Sequence, residues 1–245
     1  MAVNKRLLQG AAAAPGGITP SEHFGVVLYE GDGSSSHSIN GGKFGAGGYF
    51  NGEQNSGASY VEISSDTTSP VSSVSFWVNS KTKDSNEGNL FAAGGGSSSN
   101  TGFTISRAPT TGYIRLAFTN GSTGNRQIFN GTTDVCDGSW HHIALSMADD
   151  NTFVLYLDDS SHITGTRTRF TTANSHNLSV NRLGTNAAAV GASSYEGKID
   201  QVRIFQKALS SSEVSTLYAE TASTVESLDP LSEDTTDTLQ VLGDS

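Results

Sequence analysis

A single cysteine, Cys136, excludes an internal disulfide, so the fold has to be held together by its core. Cations are scarce as well: Lys and Arg total 14 against 24 Asp and Glu, a net charge of −10. Nucleic-acid affinity comes largely from clustered Lys and Arg, so this balance argues against a phosphate-backbone partner. No apolar run approaches the roughly 20 residues of a membrane-spanning helix, and membrane insertion is not expected. Near the start, Lys5 and Arg6 precede only Leu7-Leu8 and a short Ala run, too little for the apolar core of an export signal. Zinc-type Cys/His spacing, a nucleophile elbow and a phosphate loop are all missing.

What the chain has in quantity is glycine, 28 residues of it among many Ser, Thr and Asn. That composition suits short strands joined by tight turns. Strict two-residue alternation recurs. Val74, Phe76 and Val78 share one strand face, and Ile114, Leu116 and Phe118 another. Ile143, Leu145 and Met147 form a third set, and Phe153, Leu155 and Leu157 a fourth. This is the pattern of antiparallel sheets buried on one face, and two such sheets stack into a sandwich. Asp149-Asp150-Asn151 reads as the hairpin turn between the last two sets. One helix is expected, Ser211–Glu220, with Ser210 and Glu213 as a capping box and Val214, Leu217 and Tyr218 as its apolar stripe.

The organisation that follows is an N-terminal arm over 1–22, one domain over 23–220 opening on a strand at His23–Glu30, and an acidic tail over 221–245. From Glu220 onward the chain carries seven carboxylates and no basic residue. Such a run is ordinarily a solvated segment. Leu228, Leu231, Leu239, Val241 and Leu242 are its candidate anchor points.

Several motifs occur in a telling order. Phe50-Asn51-Gly52 and Tyr60-Val61-Glu62-Ile63 come first, then Val74-Ser75-Phe76-Trp77-Val78 and Asp137-Gly138-Ser139-Trp140-His141-His142. Leu183-Gly184-Thr185 and the block from Tyr195 to Leu209, containing Ile199-Asp200-Gln201-Val202-Arg203-Ile204-Phe205, close the series. Together they resemble the laminin-G-like, concanavalin-A-like jelly-roll family over about residues 24–219. The resemblance implies an all-β, two-sheet antiparallel jelly-roll sandwich with one short C-terminal helix and extended N- and C-terminal arms. It implies a domain that binds glycans or proteins, or serves as a structural module. The first ten residues, the glycine-rich arm and the acidic tail also resemble virion structural proteins of tailed phages. That likeness implies location on a virion, partners among other virion proteins through the arms, a homo-oligomer, and contact with host surface polysaccharide. A free carbohydrate-binding or adhesion module is the alternative.

Catalysis is not expected. Carbohydrate-cleaving relatives need paired carboxylates in an E-x-D-x-x-E arrangement, and Glu196 with Asp200 has neither the spacing nor a third member. His141 and His142 are adjacent on a strand and point to opposite faces, so they cannot clamp a metal, and His141 reads as packing beside Ile143 and Leu145. Trp77 and Trp140 read as core or half-core. Cys136 reads as a small half-buried residue. Exposed aromatics with nearby amides are the groups that meet sugars, which makes Tyr113, Phe129 and Tyr195, with Asn120, Asn125 and Asn186, the candidate glycan contacts. Asp200 alternates with Val202 and Ile204 and is expected on the apolar face, where its charge needs a partner. A backbone N–H of the Gly45–Gly52 loop is one such partner. The resemblance offers another, a structural calcium held with loop carbonyls. No cofactor is otherwise implied.

Overall fold

The computed structural model describes residues 24–25, 27–29, 42–44, 48–52, 60–63, 71–94, 102–120, 126–169, 180–185, 193–205, 207–221 and 239–241. The strands are β1 (Phe24–Gly25), β2 (Val27–Tyr29), β3 (Gly48–Asn51), β4 (Val61–Ile63), β5 (Ser73–Asn79), β6 (Gly88–Gly94), β7 (Gly102–Arg107) and β8 (Tyr113–Thr119). They continue as β9 (Arg126–Asp134), β10 (His141–Met147), β11 (Thr152–Leu157), β12 (Ser160–Thr166), β13 (Val180–Leu183), β14 (Glu196–Phe205) and β15 (Leu239–Val241). The helix α1 spans Ser211–Tyr218. A seven-stranded sheet runs β1-β14-β5-β10-β11-β12, with β3 also on β14, and a six-stranded sheet runs β4-β13-β6-β7-β8-β9. Every ladder is antiparallel. The architecture is a jelly-roll sandwich.

All four alternating sets point between the sheets and meet in one buried cluster, joined by Phe50, Phe91, Phe103, Ile105 and Ile199. Phe76, Phe91 and Phe103 stack in series across it, with centroid spacings of 6.1 and 5.8 Å. The hairpin at 149–151 closes as the Asx residues require. Asn151 takes φ of 67°, and Asp150 Oδ1 accepts the backbone N–H of Thr152 at 2.9 Å.

Behind the seven-stranded sheet lies a smaller second core. Val214 and Leu217 of α1 meet Ala144, Tyr156, Phe205 and Leu209 there. The helix starts where the capping box demands. Ser210 Oγ accepts the N–H of Glu213, and Glu213 Oε2 accepts that of Ser210 at 2.7 Å. It ends at Tyr218, two residues earlier than the sequence suggests, with Tyr218 still 37% exposed.

Three expectations need correction. The strand at 23–30 is two short strands: β1 pairs with β14, while β2 pairs with β15 of the tail. Cys136 is fully buried, not half-buried. Trp77 is buried, as expected, on the outer side of the sheet beneath Tyr218 and Phe44, at centroid distances of 5.6 and 6.2 Å. Asp200 also faces outward. The ladder between β14 and β5 shifts register between Asp200 and Arg203, and Gln201 takes φ of 51°. That inserted residue is a bulge, which resets the alternation so that Val202 and Ile204 point inward while Asp200 does not.

Candidate functional site

The helix occupies the outer side of the seven-stranded sheet, so among the described residues no helix lies on the outer side of the six-stranded one. The centre of that outer face is built from small side chains. Ala92, Thr104 and Ala117 stand side by side across β6, β7 and β8, and Ile128 of β9 continues the row. The next row is polar: Asn89, Ser106, Arg115 and Asn130 are register partners across the same four strands. Alternation explains both rows, because Phe103, Ile105, Leu116 and Phe118 fill the core from the same strands.

Glu87, just ahead of β6, ties the polar row together. Its Oε1 accepts the Ser106 hydroxyl at 2.6 Å and lies 3.5 Å from the Arg115 guanidinium. Arg126, on the far strand β9, reaches it at 3.3 and 3.4 Å. Arg115 Nε in turn donates to Asn130 Oδ1 at 2.9 Å. Burial pushes the Glu87 carboxyl up, but the Ser106 hydroxyl and the two guanidiniums outweigh it and hold the group below its usual range. The face is therefore preset with ionised groups and fixed donors. Its edge carries two exposed apolar side chains, Tyr113 at 40% and Ile128 at 44%.

The proposed sugar contacts fall in different places. Tyr113 stands on the outer face, two residues from Arg115 on β8. Asn120 is exposed at the end of that strand. Phe129 instead turns inward against Phe153 and Phe118, at 4.8 and 6.2 Å. Tyr195 is only 1% exposed and packs beside Phe50, so it offers no ring to a ligand. Asn125 and Asn186 lie outside the described residues. Sequence reasoning passed over Arg115, Arg126, Asn130 and Glu87. The signal for Arg115 was present: it is the outward residue between Ile114 and Leu116.

A second polar cluster sits at the β10–β11 end of the other sheet. His141 Nδ1 lies 2.7 Å from Asp158 Oδ2, and its Nε2 lies 3.2 Å from Asp137 Oδ1. It is thus held by two carboxylates, not by apolar packing alone. The hydrogen bond to Asp158 leads the causes that raise its pKa. Next to it, His142 is buried against Trp77 and bonds Ser75 Oγ at 2.8 Å. Burial drags its pKa down to about 4.

The calcium reading of Asp200 does not fit its donors. Oδ2 accepts the backbone N–H groups of Lys43 at 2.7 Å and Phe44 at 3.2 Å, and Oδ1 accepts the N–H of Gln201 at 2.7 Å. A cation needs those lone pairs and is repelled by those N–H dipoles. Among the described residues, no three His, Cys, Asp or Glu side chains are placed to hold a metal ion.

Two sheets of this order, with the closing motif on β14 and the helix behind it, define a recognisable domain. The family model described as the Concanavalin A-like lectin/glucanases superfamily, of laminin-G type, matches residues 55–215. The chain belongs to this superfamily. Solved structures agree on the fold of this concanavalin A-like domain. The binding domain of Botulinum Neurotoxin DC, in complex with SialylT, superposes with a TM-score of 0.59 at 14% identity, covering 80% of this chain and 46% of that one. The carbohydrate-binding module of a Ruminococcus gnavus sialidase, bound to α2,3-sialyllactose, gives 0.51 at 13% identity, covering 62% and 84%. Domain 4 of an extracellular arabinanase from Geobacillus stearothermophilus, in complex with arabinotriose, gives 0.55 at 24% identity, covering 80% and 88%. The chain thus spans about half the length of the toxin domain it matches. No curated protein matches it by sequence.

Proposed function

We propose that this chain is a non-catalytic glycan-binding module that meets its sugar on the outer face of the six-stranded sheet. One observation carries the reading: the Glu87–Arg115–Arg126–Asn130 network lies beside the exposed ring of Tyr113. Sugars are recognised by this combination of fixed polar groups with an apolar surface for the C–H face of a ring. Three structural relatives solved with a sugar-based ligand support it. The test is a glycan array probed with the full chain and with Tyr113→Ala. Binding that weakens in the variant sustains the reading; an array without hits ends it.

The terminal segments favour a second element, that the module is carried on a phage particle. The first ten residues and the acidic tail resemble virion proteins, and the tail strand β15 returns to pair with β2, next to β4 at the edge of the six-stranded sheet. The tail strand is thereby held against the first strands of the domain. Deleting Met1–Pro20 should abolish incorporation into particles while the melting temperature of the domain holds. Normal incorporation would sink this element and leave a free adhesion module.

A further inference from the structure

Charge distribution on the candidate face says more about the ligand. The chain as a whole is strongly acidic, at −10. Yet two arginines here share one carboxylate, and the Arg115–Arg126–Glu87 group carries a local surplus of one positive charge. Arg126 reaches Glu87 from three strands away. The guanidiniums stay partly accessible, with side-chain exposures of 22% for Arg115 and 33% for Arg126. Glu87 fills their shared acceptor position only loosely, at 3.3 to 3.5 Å, longer than the 2.7–2.9 Å of a good charge-assisted contact. Donor capacity is left over.

We propose that this face selects a saccharide bearing a carboxylate, which the forks of Arg115 and Arg126 bind while Tyr113 lies along the sugar ring. The inference rests on the glycan-binding reading and narrows it to one ligand class. Planar guanidiniums suit carboxylates because two parallel N–H donors match two oxygens. Asn130 holds Arg115 by its Nε at 2.9 Å and Glu87 lies 3.5 Å from its Nη1, which together fix the plane of the guanidinium. The acidic remainder of the protein repels polyanions at long range, so selection depends on this local positive group and is screened by salt.

The experiment is calorimetric titration of the full chain with four probes: 3′-sialyllactose, trigalacturonic acid, lactose and a neutral galactose trisaccharide. Binding of an acidic probe at least about tenfold tighter than its neutral counterpart is expected, weakening as salt rises. Arg115→Gln and Arg126→Gln should each lose about tenfold or more, with melting temperatures lowered by a few degrees at most because Glu87 keeps one guanidinium, and Arg115→Lys should not restore the loss. Preference for sialyllactose or for trigalacturonate tells which acid the face takes. Equal binding of neutral and acidic probes overturns the inference but leaves the glycan reading intact. Acidic binding that survives both arginine variants overturns the placement, and failure of all four probes together with an empty array removes both.

Discussion

Asp200 stands directly opposite Trp77 in the ladder between β14 and β5, on the outer side of the seven-stranded sheet. The pairing matters because of what the carboxylate holds. It fixes the backbone of Lys43 and Phe44, and those residues then cover Trp77 from above. Phe44 meets the indole edge-on at 6.2 Å, and the Lys43 ammonium lies 4.0 Å from its ring centre. One buried acid thereby ties a segment more than 150 residues away in sequence onto the back of the sheet.

Replacing Asp200 by Ala should leave three N–H groups without their acceptor, that of Gln201 buried and those of Lys43 and Phe44 half-buried. Each such loss costs about 1–3 kcal/mol, partly recovered by water, so a net loss of roughly 2–4 kcal/mol is expected. At roughly 2–4 °C per kcal/mol for a domain of this size, the melting temperature should fall by about 4–16 °C. Trp77 fluorescence should shift to the red as its cover loosens. Millimolar calcium or a chelator should leave the wild-type melting temperature unchanged, whereas a calcium-dependent rise would show that the N–H donors give way to a metal.

Much of the sandwich is legible in the sequence because period-two burial writes itself into the chain. Val74, Ile114, Ile143 and Phe153 head sets whose partners all reach the core. Alternation fails where the backbone itself departs from the strand. Nothing in the composition announces the extra residue at Gln201, and one inserted residue turns Asp200 to the other face. Phe129 and Tyr195 stand out in the sequence as aromatics, but their direction depends on neighbours that only the fold brings together, Phe153 and Phe50. The Glu87 network is long-range in the same way. Its members come from three strands and a loop, with bonded pairs up to 39 residues apart, and no local pattern links them.

The helix should depend on its cap in the ordinary way. Ser210→Ala removes the acceptor for the Glu213 N–H and breaks a reciprocal pair. A loss of about 1 kcal/mol is expected in urea unfolding. Asp or Asn at the same position should restore most of it.

Gly184 is expected to resist any side chain. Its φ is 77°, and a Cβ there would stand 2.2 Å from Phe50 Cδ1, a ring locked in the core. Both the left-handed backbone and the overlap count against Ala, together about 2–4 kcal/mol. Urea unfolding of Gly184→Ala should show a lower midpoint with an unchanged slope. A wild-type midpoint would mean that β13 and Phe50 shift apart without cost.

The adjacent histidines should pull stability in opposite directions with pH. His142 is buried and neutral, with a pKa of about 4 against 6.5 for a free histidine. As pH falls below 6.5 the unfolded chain takes up a proton that the folded one refuses, so stability declines until the folded group titrates near 4. The difference corresponds to roughly 3 kcal/mol. His141 behaves in the reverse sense. Asp158 raises its pKa, so its contribution is full below 6.5 and is lost as pH rises through the folded value. Asp158 is partly exposed, so that contribution is about 1 kcal/mol or less. The sum is a stability maximum near pH 6.5. Melting temperatures measured from pH 4 to 9 should show it, with His142→Gln flattening the acid limb and His141→Gln the alkaline one. An acid limb that stays as steep in His142→Gln would assign the loss to the carboxylates instead.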